Sequence, residues 1–186
     1  MRRRALQLLS ALVLGIVLFS LYCLVTQRRP WEVACPGIQD ENLQHLDARI
    51  SKKIHTILSV LEKEKRPFSI SSVYRSHQKQ LCYYRISRII KKITGTNGLT
   101  TTKKSCHNNM KKGKPSSLAI DLHVPKSLSM KEKAEHYRRL RSLARLNGLK
   151  SGGDFKKSNP VWAEYDLGWD PGHVQMKNCT KKVSIK

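Results

Sequence analysis

The chain has 186 residues, a formal net charge of +23 and only 6% aromatic residues. That length fits one domain with a real core and leaves little room for two. The charge turns the surface toward polyanions, but the scarcity of aromatics and the lack of a zinc-finger or RNP-like stretch argue against a nucleic-acid binder.

Arg2, Arg3 and Arg4 precede a run from Ala5 to Thr26 that carries no charge. Its 22 residues suffice to cross a bilayer as a helix. A secretory signal shares the basic start but has a shorter apolar part, and no small-x-small cleavage site precedes Gln27. Tyr22 occupies the place that a lipobox around Cys23 would give to a small residue. The segment 1–26 therefore reads as an uncleaved signal anchor, with a cleaved signal as the alternative. The anchor implies a single-pass protein of the cell membrane whose C-terminal part is periplasmic or extracellular. Residues 27–40 read as a linker broken by Pro30 and Pro36-Gly37.

From Glu41 the pattern turns helical, with Leu43, Leu46, Ile50, Ile54, Ile57, Leu58 and Leu61 at steps of three and four up to the stop at Pro67. Phe68, Ile70 and Tyr74 alternate with small polar residues, which predicts a short strand. A second helix is expected from Ser76 to about Ile93, with Ile86, Ile89, Ile90 and Ile93 on its inner face. Thr94 to Ser117 is a long polar loop, and loops of that length are functional or disordered. Leu118 to Val124 reads as a buried strand. Ser129 and Glu132 form a capping box for a helix that ends near Asn147-Gly148. Ser151 to Lys177 reads as short strands and turns, and 179–186 as a basic tail. Helices in front of strands indicate an α+β domain over 41–178 with a small antiparallel sheet. Cys35, Cys82, Cys106 and Cys179 are even in number and contain no C-x-x-C pair. They allow two disulfides in an oxidising compartment, or four buried thiols, and they do not suit a four-cysteine zinc site.

Three stretches supply metal-ligand chemistry: Ser105-Cys106-His107, Ala119-Ile120-Asp121-Leu122-His123 and Trp169-Asp170-Pro171-Gly172-His173. A hydrolytic zinc ion takes three protein ligands and leaves one place open, and two imidazoles with one carboxylate meet that need. A further carboxylate must move a proton from water to the leaving amine. Asp170 stands three residues before His173, so a tight turn could face both into one cavity.

These stretches resemble the zinc D-Ala-D-Ala carboxypeptidases of the VanY type and the phage L-alanyl-D-glutamate endolysins, whose fold is shared with the hedgehog signalling domain. The resemblance is carried by Val73-Tyr74-Arg75-Ser76 with Gln78 and Gln80 after it, and by Ser105-Cys106-His107-Asn108. It continues through Pro115-Ser116-Ser117-Leu118-Ala119-Ile120-Asp121-Leu122, Gly152-Gly153-Asp154-Phe155 and Asp170-Pro171-Gly172-His173. It implies Zn2+ held by His107, Asp121 and His173, with Asp170 as general base and acid and Arg75 facing the substrate. It also implies a peptidase acting on peptidoglycan stem peptides, as a carboxypeptidase or an endopeptidase; separately, the basic surface of a protein outside the membrane would meet anionic wall polymers, lipopolysaccharide or lipid headgroups. His107 stands 14 residues before Asp121, further than in the family. An ungapped alignment places Lys114 at the ligand position, and lysine is a poor zinc ligand. His123 is a fallback donor two residues along the strand from Asp121. In the family pattern Gly172 stands for a proline and Gln175 for an acidic residue. The alternative reading is a catalytically degenerate, basic module of the same fold that binds wall polymer or a partner.

Overall fold

The computed structural model describes residues 13–21, 34–95, 100, 102–155 and 160–179. Within the apolar run, residues 13–21 are helical, and the rest of Ala5–Thr26 lies outside the described residues, as do the basic residues 180–186. Among the described residues no helix is long and apolar enough to cross a membrane. The chain forms two compact units, one of residues 1–36 with 82–101 and a larger one of residues 37–81 with 102–186.

The larger unit is α+β. Strand β1 (Gln39–Asp40) pairs with β3 (Tyr74–Arg75), so the end of the expected linker is already part of the fold. The first helix begins later than its hydrophobic spacing predicts. Asn42 accepts the N–H of Gln44 and caps a 3-10 turn, Leu43–His45. Leu46 is extended, and Asp47 then caps helix α1, Ala48–Lys63. Two short polar side chains that each capture a nearby backbone N–H divide what periodicity alone joins. Likewise the strand expected through Phe68–Tyr74 divides at Val73. Strand β2 (Ser69–Ser72) joins one sheet with a register shift between Ile70 and Ser72, and β3 joins another.

Helix α2 (His77–Thr94) has its first turn in the larger unit and the rest in the smaller one. The long polar loop is not featureless. It holds a 3-10 turn, Cys106–Asn108, and a hairpin of β4 (Met110–Lys111) and β5 (Lys114–Pro115) turned at Lys112-Gly113, both at positive φ. Strand β6 (Ala119–His123) follows. Helix α3 (Met130–Leu146) starts at the Ser129–Glu132 capping box, as expected. Then come β7 (Leu149–Ser151), a 3-10 turn at Gly152–Asp154, the short helix α4 (Pro160–Ala163) and β8 (His173–Met176). The main sheet has the order β2-β6-β8-β7, antiparallel throughout.

The core lies between this sheet and two helices. Ile50, Ile54, Ile57 and Leu61 of α1 and Ala134, Leu140 and Ala144 of α3 are buried against Ile120, Leu122, Leu149 and Val174. Each of the isoleucines, leucines and the valine contributes roughly 1.5–3 kcal/mol through burial. Asp47 ties α1 to the approach to β6: its Oδ2 accepts from Ser116 Oγ at 2.8 Å and its N–H donates to the Ser117 carbonyl at 2.8 Å.

In the smaller unit the expected inner face of α2 is wrong. Ile89 and Ile93 are 59% and 77% exposed, Ile86 and Ile90 are half-buried, and the buried positions are Tyr83 and Ser87. Ser87 Oγ donates to the Tyr83 carbonyl and accepts the Thr100 N–H, each at 2.8 Å. A polar position therefore faces inward because it holds the returning chain, and Ile89 and Ile93 fall outside that face. Cys35 pairs with Cys82 in this unit, and Cys106 with Cys179 in the larger one. These bridges span sequence separations of 47 and 73 residues. On the chain-entropy account, closing loops of that size stabilises the fold by about 4 kcal/mol each.

Candidate metal centre

Strand pairing delivers two of the three expected ligands. In the β6–β8 ladder Asp121 is directly opposite His173, and facing side chains of an antiparallel pair start about 5 Å apart. His107 arrives from the 3-10 turn. Ser105 Oγ accepts the His107 N–H at 3.3 Å, and Asn108 Oδ1 accepts the Ser105 N–H at 2.8 Å. Asn108 Nδ2 also donates to the Arg75 carbonyl, which ties the turn to β3. The Leu118 N–H donates to the Cys106 carbonyl at 2.9 Å, and the Cys106–Cys179 bridge joins the turn to the chain just past β8.

His107, Asp121 and His173 each present one ligand atom, and those atoms lie within 4.8 Å of one another. His107 Nε2 is 3.3 Å from Asp121 Oδ1 and 3.4 Å from His173 Nδ1, while His173 Nδ1 is 2.7 Å from the same carboxylate oxygen. The outer nitrogens are also engaged. His107 Nδ1 is 2.7 Å from the Val73 carbonyl, and His173 Nε2 is 2.8 Å from Gln175 Oε1. Both of those oxygens are acceptors, so each outer nitrogen carries a proton and each inner nitrogen turns its lone pair or exchangeable proton toward Asp121. Metal-binding histidines are fixed in this way by acceptors on their far side. The donor set and its arrangement fit zinc.

The ionisation of the cluster follows from the same contacts. Burial opposes charge on Asp121, but the adjacent His107 and His173 outweigh it and hold the carboxyl well below its ordinary value. Burial likewise opposes charge on His173, yet its hydrogen bond to Asp121 and the charges of Asp121 and Asp170 lift it to about 9.

Asp170 lies on the turn that leads into β8, where its carbonyl accepts the His173 N–H at 3.0 Å. The residue is exposed, but protein crowded around its carboxyl, and then the charge of Asp121, raise it above the ordinary carboxylate range. Two glycines make this turn possible. A Cβ on Gly152 would lie 1.9 Å from the Asp170 carbonyl oxygen, and one on Gly172 would lie 2.2 Å from the Leu122 carbonyl oxygen. The second contact explains why glycine stands at 172. Arg75 reaches the cluster from β3, with one guanidinium nitrogen 3.6 Å from Asp121 Oδ2 and the other donating to Gln80 Oε1 at 3.0 Å. Gln80 is fully buried and itself donates to the Thr102 carbonyl at 2.8 Å.

Comparison with known proteins gives a consistent picture of likeness. A solved D,D-pentapeptidase VanY from a VanB-type vancomycin resistance cassette, in complex with Zn(II), is 17% identical, with a TM-score of 0.45 over 77% of this chain and 80% of that one. VanYB in complex with D-alanine-D-alanine is 17% identical, with a TM-score of 0.48 over 76% and 77%. The LdcB LD-carboxypeptidase is 14% identical, with a TM-score of 0.43 over 70% and 58%. The chain is similar to VanY-type peptidases. No family model matches it, and no curated protein sequence does.

The structure brings His107, Asp121, His173 and Arg75 together, with Asp170 on the turn beside them, and leaves Lys114 and His123 outside. Lys114 is exposed on β5, because the residues between His107 and Asp121 include a separate hairpin. His123 is exposed at the end of β6, opposite Ser69, and is not part of the donor group. Gln175, a departure from the family pattern, is the acceptor that orients His173. The Val73 carbonyl has no counterpart in the sequence pattern, since a backbone acceptor carries no residue signature.

Proposed function

We propose that this chain is a zinc-dependent peptidase that hydrolyses peptidoglycan stem peptides at the outer face of the membrane. On this reading it is a carboxypeptidase or an endopeptidase, and Ala5–Thr26 anchors it. The observation that carries the reading is the convergence of His107 Nε2, Asp121 and His173 Nδ1, each outer nitrogen held by its own acceptor. Bound there, zinc would supply Lewis acidity toward a carbonyl and toward water. Asp170, raised above the ordinary carboxylate range, takes a proton from the attacking water and delivers it to the amine of the departing fragment. Arg75, held by Gln80, places a fixed positive charge beside the cluster, where it can orient a substrate carboxylate or steady the oxyanion. Stem peptides carry such carboxylates, and the excess of basic residues favours them, along with anionic wall polymers. Two disulfides among the described residues accord with a location outside the cytoplasm.

The test is elemental analysis of the purified chain together with hydrolysis of synthetic stem peptides ending in D-Ala-D-Ala or containing L-Ala-D-Glu. The expected result is one zinc per chain and cleavage that a chelator abolishes and added zinc restores. Tight binding of wall polymer by a chain with no zinc and no hydrolysis would favour the degenerate binding module instead.

A further inference from the structure

The outward face of α2 is the feature that the peptidase reading leaves unused. On a helical projection Arg85, Ile89 and Lys92 fall in one row, with Ile93 on one flank and Arg88 and Lys91 on the other. All six are exposed. A solvated helix face does not need isoleucines left 59% and 77% exposed one turn apart. Cations flanking exposed apolar side chains suit the boundary of an anionic bilayer, where the isoleucines enter the acyl region and the long basic side chains reach back to the headgroups.

On the reading of Ala5–Thr26 as an anchor, a covalent link keeps this face close to the membrane. Cys82 of α2 is bridged to Cys35, and Cys35 follows the end of the uncharged run, Thr26, by nine residues. Nine residues span at most about 32 Å, and the eleven positions from Cys82 to Ile93 cover about 16 Å of helix. The bridge and the run both belong to the smaller unit. We propose that the outward face of α2 docks on the anionic lipid surface of the membrane that holds Ala5–Thr26. This inference rests on the proposed anchor and not on the peptidase activity. It adds a second membrane contact, so the tether ends in a helix laid on the lipid rather than in a free linker.

The test uses the full chain in lipid nanodiscs, with a photo-crosslinking amino acid replacing Ile93 and, as a control, Glu135 on α3. In phosphatidylglycerol discs, lipid adducts at position 93 should exceed those in phosphatidylcholine discs about fivefold or more, with few at position 135. The combined substitutions Arg88→Glu, Lys91→Glu and Lys92→Glu should remove that excess, with the intact mass showing that the Cys35–Cys82 bridge is kept. These three side chains are exposed, so the substitutions leave the fold in place. Equal adduct yields in both lipids would overturn the proposal. So would adducts at position 93 that are mainly to a second copy of the chain or to residues of the same chain.

Discussion

His107 and Lys114 lie in the same polar stretch, seven residues apart, and finish in opposite environments. His107 is 2% exposed on a capped turn that is tied to β3, β6 and the chain beyond β8. Lys114 stands on a two-stranded hairpin with exposed lysines around its turn. The difference shows how residues between two parts of a site can be set apart from it. The intervening residues close on themselves through Met110↔Pro115 and Lys111↔Lys114 pairing, between the turn that holds His107 and the strand that holds Asp121.

The largest expected effect separates these two regions. His107→Ala or His173→Ala should abolish stoichiometric zinc and lower peptide hydrolysis by about a thousandfold or more, while Lys114→Ala keeps both. Zinc lost with Lys114 and kept without His107, read by elemental analysis, would reverse the assignment. Asp170→Asn should come next: turnover about a hundredfold to ten-thousandfold lower with zinc retained, measured by steady-state kinetics beside metal analysis. Unchanged turnover would remove Asp170 from the proton-transfer role.

Gln175→Ala should weaken zinc about tenfold to a hundredfold in a competition titration with a chelator, because His173 would lose the acceptor that orients it. Asp47→Ala should cost about 1–2 kcal/mol in denaturant unfolding through the lost helix cap, without touching zinc. The same carboxylate sets a pH signature. Hydrogen bonds from Arg49, opposed by burial, hold Asp47 well below its ordinary value near 3.8. Its contribution is therefore complete above that value and is lost as the pH falls toward the folded value. The stability gap between the parent and Asp47→Asn should accordingly narrow on acidification below about pH 4. A gap that widened there would sink this account. Smallest of all, neutralising Lys111 and Lys112 on the hairpin should leave zinc content and unfolding midpoint unchanged within about 0.5 kcal/mol.

Much of this molecule was legible in the linear pattern because the signals were local. The Ser129–Glu132 capping box of α3 and the apolar spacing of α1 each act within one or two turns, and they predicted real elements. The donor residues were legible as types, since few side chains hold zinc. Local signals misled where a tertiary contact competed with them. The outward isoleucines of α2 follow from Ser87 capturing the Thr100 N–H, and the division at Val73 follows from two sheets claiming neighbouring residues.

What the order of residues determined by itself was the inventory: two imidazoles, a carboxylate, a second carboxylate three places before His173, and glycines where backbones must touch. What only the folded chain decided was which of these meet. Asp121 faces His173 because β6 and β8 pair in that register. His107 rather than Lys114 joins them because a hairpin takes up the intervening residues. Proximity between positions so distant along the chain is a property of strand register and packing, and neither is written in any short stretch of sequence.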